Sequence, residues 1–180
     1  MQIASNHSRR SLMTLGAAAA GARFLAAQSS SANSPEPLRS EFLMDMVLDT
    51  ATAVPAGTHS ITGVTGGTFE GPKLKGKVIG PGADWTTRRA DGAVILDVRT
   101  ILETDDNQRI YTNYRGVVYR PPQQQPAGRA QQANTTPAYW RITPIFDTSA
   151  VKYDWLNRIV AVGVRYDVPG KVAYHVYEIL

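Results

Sequence analysis

The stretch Gly63–Trp85, GVTGGTFEGPKLKGKVIGPGADW, carries seven glycines and two prolines and constrains the chain more than any other segment. Glycine gives up more backbone entropy on ordering than other residues. Repeated glycine in a segment that otherwise alternates like a strand therefore marks bulges, sharp bends or close backbone approach. The segment reads as the bent wall of a curved sheet. Glu70 and, at the far end, Asp84-Trp85 are the first groups on that wall able to do chemistry.

Strand periodicity continues on both sides. Phe42, Met44, Met46 and Leu48 fall on one face of a period-2 pattern, and further short strands are expected over 60–64, 68–79, 94–102, 109–118, 138–146, 159–166 and 171–180. Turn signals separate them: Pro81-Gly82, Ala90-Asp91-Gly92, Thr104-Asp105-Asp106-Asn107 and Val168-Pro169-Gly170. Residues 147–158 suit a turn and a short helix. The Gln-, Pro- and Ala-rich stretch 120–137 has no apolar periodicity and reads as a long loop. About eight to ten bent strands in one domain predict an all-β fold, a single antiparallel β-barrel.

The first 33 residues read as a separate segment, leaving 34–180 for the barrel. Paired arginines, Arg9 and Arg10, precede a modest apolar run over 12–27 and a polar tract, the layout of a twin-arginine export signal. That run is too weakly apolar for a permanent span, so no membrane anchor is expected after cleavage, and the mature protein is expected in the periplasm or outside the cell. Of the 19 lysines and arginines, Arg9, Arg10 and Arg23 belong to this segment, which leaves 16 basic side chains against 15 acidic. A near-neutral remainder has no electrostatic footprint for a phosphate backbone, which argues against nucleic acid as a partner. The absence of cysteine excludes disulfides, thiolate catalysis and cysteine-ligated metals. His7, His59 and His175 show no ligand spacing, and neither a metal nor a cofactor is expected.

Several blocks, in order along the chain, closely resemble domain-of-unknown-function family 3237, also known as uncharacterised protein family 0311. They are GVTGGTFEGPKLKGKV, the Pro-Gly-Ala-Asp-Trp run ending at Trp85, Leu96-Asp97-Val98-Arg99, Thr104-Asp105-Asp106, Ile110-Tyr111 and Tyr153-Asp154-Trp155-Leu156-Asn157. The resemblance spans nearly all of 42–180 and implies a small calycin-like barrel with no reaction attached. The chain departs from the family pattern at Asn107, where glycine is commoner, and at Asp147, where glutamate is usual.

Six groups of residues are candidates for the site. Glu70, in an apolar bent segment, could have its pKa raised into a useful acid/base range. Asp84 beside Trp85 suits a hydroxylated or cyclic ligand at a barrel mouth. Asp97 and Arg99 alternate together with Ile95 and Ile101, a mixture taken to face the interior and able to bind a carboxylate or phenolate. Tyr111 shares a face with Asn113 and Arg115, and Tyr139 shares one with Arg141. Trp155 and Asn157 read as a lid over one barrel end with Asn157 bonded to backbone, and as further ligand contacts.

The leading expectation is a monomeric or homodimeric barrel whose cavity binds a small aromatic or hydroxylated molecule through a wall of Glu70, Asp84, Trp85, Asp97, Arg99, Tyr111 and Arg141. The alternative is a cofactor-independent isomerase, cyclase or lyase with Glu70 as general acid/base and Arg or Tyr stabilising the developing charge. A third reading is a structural barrel with no ligand.

Overall fold

The computed structural model describes residues 36–120 and 138–180. The paired arginines Arg9 and Arg10 and the loop over 121–137 lie outside the described residues. Among the described residues, no helix is long and apolar enough to cross a membrane.

Among the described residues, nine strands follow in chain order: β1 (Ser40–Thr50), β2 (Val54–Ala56), β3 (His59–Glu70), β4 (Lys75–Arg88), β5 (Val94–Thr104), β6 (Arg109–Tyr119), β7 (Tyr139–Asp147), β8 (Val160–Tyr166) and β9 (Val172–Ile179). A 3-10 helix, Val151–Arg158, joins β7 to β8. All pairings are antiparallel, in the order β1-β9-β8-β7-β6-β5-β4-β3, and β3 pairs back onto β1. Eight strands thus close into the expected barrel, while β2 only forms a short hairpin with β3.

Closure requires sharp local curvature, and the glycines supply it. Gly67 has φ 140°, and a Cβ there would lie 2.1 Å from the Val47 carbonyl oxygen, so only glycine lets β3 cross β1 this closely. At the narrow β7–β8 seam only Arg141–Val164 and Ile142–Gly163 pair. A Cβ on Gly163 would meet Ile142 Cγ1 at 2.4 Å, so the missing side chain makes room for that isoleucine to fill the interior.

Two expectations about the strands are corrected. The third strand does not run from Thr68 to Ile79. It ends at Glu70, a turn closed by Gly71 N–H to the Leu74 carbonyl follows, and β4 then continues through Pro81-Gly82 with a register shift between Ile79 and Ala83. Pro81-Gly82 is a bulge inside a strand, whereas the turn falls at Pro72. Phe42 is also exposed rather than aligned with Met44, Met46 and Leu48, because a register shift between Phe42 and Met44 reverses its face.

Inward-facing side chains form one core, with Met44, Met46, Leu48, Phe69, Leu102, Ile110, Ile142, Phe146 and Val176 among its most buried members. The 3-10 helix caps one end of it by burying Tyr153 and Leu156. Polar ties fasten this cap. Asn157 Oδ1 accepts the Thr148 N–H at 2.9 Å, and its Nδ2 donates to the Thr148 carbonyl at 2.8 Å. Asp106 accepts from Lys152 Nζ at 2.7 Å, from the Tyr153 hydroxyl at 2.9 Å and from the Thr104 hydroxyl at 2.6 Å.

Candidate active site

The uncapped end of the barrel holds a cavity of about 280 Å³. Leu48, Val64, Val94, Leu96, Val118 and Val172 give it apolar walls, and Thr50, Thr62 and Thr86 bring hydroxyl groups. Asp84, Tyr114, Trp140 and Tyr174 form its polar interior.

Strand parity explains how these four residues meet. Val78 and Asp84 lie on opposite sides of the Pro81-Gly82 bulge, which keeps both on the inner face of β4. Tyr114 follows Ile110 and Thr112 on the inner face of β6, Trp140 precedes Ile142 on β7, and Tyr174 precedes Val176 on β9. The Tyr114 and Tyr174 rings meet edge to face with centroids 6.0 Å apart.

Trp140 Nε1 donates to the Tyr174 hydroxyl oxygen at 3.0 Å. An indole N–H only donates, so Tyr174 accepts with its oxygen and keeps its own proton for another partner. Burial pushes both phenols above their ordinary range, and the nearby Asp84 charge adds to this, so they are neutral donors at physiological pH.

Among the described residues, Asp84 is the one carboxylate on the cavity wall. Removal from water pushes its pKa up to about 6; the Asp97 N–H, 3.2 Å from Oδ1, opposes this, and the Asp97 carboxylate on the other side of the sheet reinforces it. A carboxyl group that titrates near neutrality can both give and take a proton.

The other expected site residues lie elsewhere. Asp97 and Arg99 face outward, because Leu96 and Val98 occupy the inner face of β5. Their ion pair, 3.4 Å long, is on the surface, with Arg115 3.9 Å from the other Asp97 oxygen. The isoleucines beside them suggested an interior, but a barrel exterior also carries much apolar surface. Trp85 and Tyr111 are 43% and 40% exposed and join Arg99, Ile101 and Pro81 along an outer groove of about 410 Å³, with Arg99 over the Trp85 ring at 5.3 Å. Arg141 also points outward, stacked 5.0 Å from Tyr139.

Glu70 is exposed on the outer face, since Phe69 beside it fills the core. It lines a separate outer groove with Phe42, Asp45 and Tyr166. Trp155 and Asn157 belong to the capped end, and Asn157 bonds to backbone there as expected for a lid. Of the expected wall, only Asp84 enters the cavity. Tyr114, Trp140 and Tyr174 were missed, although β5 held the signal: Val94, Leu96, Val98, Thr100 and Leu102 carry no charge, so theirs was the inner face. Carrying that parity across the hairpin to β6 places Tyr114 inside.

Among the described residues, no group of three or more His, Asp or Glu side chains could hold a metal ion.

Fold and cavity together define a small closed barrel, capped at one end and carrying an acid and two phenols at the other. The chain belongs to the family described as "Protein of unknown function (DUF3237)", whose pattern matches residues 38–179. It is similar to the crystal structure of a β-barrel-like protein from Acinetobacter baumannii, at 34% identity and a TM-score of 0.70 over 82% of this chain and 99% of that one. A UPF0311 protein of Rhodopseudomonas palustris is 26% identical over 72% of this chain and 86% of its own length. A Penicillium herquei protein named as a hydroalkoxylation enzyme is 30% identical over 72% of this chain and 75% of its own length.

Proposed function

We propose that this protein is a cofactor-independent acid/base enzyme that adds a hydroxyl group across an activated carbon–carbon double bond, closing a ring in a small aromatic substrate. The observation that carries this reading is Asp84: a lone carboxyl, raised toward neutrality, in a largely apolar cavity beside an oriented phenol donor. The similarity to a hydroalkoxylation enzyme supports the reaction class. Asp84 replaces Glu70 as the general acid/base because Glu70 lies outside the barrel.

The proton account balances with one carboxyl group. Asp84 gives its proton to an alkene carbon, forming a C–H bond and leaving a carbocation. The substrate's hydroxyl oxygen, held by the Tyr174 O–H, attacks that centre to form the C–O bond. The proton released from this oxygen returns to the Asp84 carboxylate. Nothing is oxidised or reduced. The apolar walls keep water from competing for the cation. A cavity of about 280 Å³ lies just below the range usual for drug-sized ligands, which suits a substrate of one or two rings.

An electron-rich alkenyl phenol such as ortho-prenylphenol tests the reading. The expected result is conversion to the cyclic ether well above the buffer rate, with a loss of about a hundredfold or more in Asp84→Asn, the usual scale for a positioned acid. Turnover undiminished in Asp84→Asn would sink the proposal. If wild type and variant bind such phenols without converting them, the protein is instead a small-molecule binder using the same cavity.

Export by the twin-arginine route is also our inference, and it rests on Arg9 and Arg10. Replacing both by lysine should leave the protein in the cytoplasm in a fractionation experiment; unchanged export would overturn it.

A further inference from the structure

We propose that Arg165 is the anion anchor of the Asp84 cavity, so that the preferred substrate carries a carboxylate or phenolate held at the rim while its reacting end lies at Asp84. The inference deepens the acid/base reading and depends on it only for where the reacting end sits.

Three observations lead there. Arg165 follows Ala161 and Gly163 on the inner face of β8, at the end of the strand that reaches the open mouth. In register it stands opposite Tyr174, and its guanidinium lies 4.4 Å from the centroid of Trp140, which puts it beside two residues of the cavity wall without being part of that wall itself. Its side chain is only 22% exposed, yet among the described residues its charge meets just one carboxylate, Asp167 at 3.5 Å, which is 99% exposed. Such a solvated pair holds a cation weakly. A guanidinium stacked on an indole keeps its N–H edge free for a planar two-point contact, which a carboxylate offers.

Tyr174 links the two ends of the site. The Asp84 charge pushes its phenol up and the Arg165 charge pulls it down, which places the hydroxyl within electrostatic reach of both. A substrate spanning from Arg165 to Asp84 would therefore pass this donor. An anion seated at Arg165 also adds negative charge near Asp84, which favours the protonated acid that the reaction needs.

Binding of naphthoate and of its neutral isostere naphthamide, followed by calorimetry, separates charge recognition from turnover. Wild type is expected to prefer the acid by about tenfold or more. Arg165→Gln should erase that preference, Arg165→Lys should keep part of it, and Asp167→Asn should increase it by removing the competing carboxylate. Asp84→Asn should retain it. Equal affinity for the two probes in wild type, no measurable binding of the acid at millimolar concentration, or a preference that survives Arg165→Gln would overturn the proposal. Failure of the acid/base reading shows instead as turnover indifferent to Asp84→Asn, so the two ideas fall separately.

Discussion

The two ends of the barrel treat a carboxylate in opposite ways. At the capped end Asp106 accepts from Lys152, Thr104 and Tyr153, which hold its carboxyl well below the ordinary range. At the open end Asp84 sits among apolar walls that push it up to about 6. The first arrangement is built for the charged form and strengthens the fold at neutral pH. The second penalises the charged form and weakens the fold there. A chain selected only for stability would satisfy Asp84 as it satisfies Asp106, and this contrast supports the proposal that places the chemistry at the open end.

The contrast can be broken first at the capped end. Leu156 is fully buried beneath the cap, so Leu156→Ala should cost about 2–5 kcal/mol in a urea-unfolding measurement. A loss well under that would mean the cap does not hold the core together. Asn157→Ala removes both bonds to the Thr148 backbone and should cost about 1–3 kcal/mol, again read from the unfolding midpoint.

At the open end the sign reverses. Because the folded pKa of Asp84 lies above its ordinary 3.8, the native state holds the proton more tightly than the unfolded chain, and stability falls as pH rises from about 4 to about 6. Asp84→Asn should therefore stabilise the protein at pH 8, by about 1–2 kcal/mol after allowance for partial solvent contact, with the gain vanishing below pH 4. A variant less stable than wild type at pH 8 would contradict the assigned burial. Asp106 has the opposite sign: its contribution is complete above the ordinary carboxylate range and is lost only in stronger acid. Glu70→Gln, on the outer wall, should shift stability by no more than about 0.5 kcal/mol and leave turnover unchanged. A large effect there would return chemistry to the outside of the barrel.

Much of the architecture was legible in the chain. Alternation placed most of the strands, and the glycine-rich run announced the curvature that Gly67 provides. Where the strand reading failed, the cause was a local shift of register. Pro81-Gly82 resembles a turn in sequence, but neighbouring strands carry β4 straight through it, and the register shift beside Leu43 turns Phe42 outward. A shift of one residue exchanges inside for outside. Asp97 and Arg99 were assigned to the wrong face for a different reason: Ile95 and Ile101, whose apolar side chains suggested an interior, lie outside with them. Asp84 was found from its neighbours in sequence. Tyr174 and Trp140 depend on strands that meet only after the barrel closes, so local pattern could not join them.

A barrel wall is a single sheet thick, and that gives the hydrogen bond between the Asp97 N–H and Asp84 a further meaning. The two carboxylates stand back to back across this partition, one in solvent with Arg99 and Arg115, the other in the cavity. Whatever neutralises Asp97 from outside, whether a substitution such as Asp97→Asn or a cation drawn from the medium, lowers the proton affinity of Asp84 within. The acid inside the barrel thus has a tuning screw on its outer surface, which can be turned without entering the cavity.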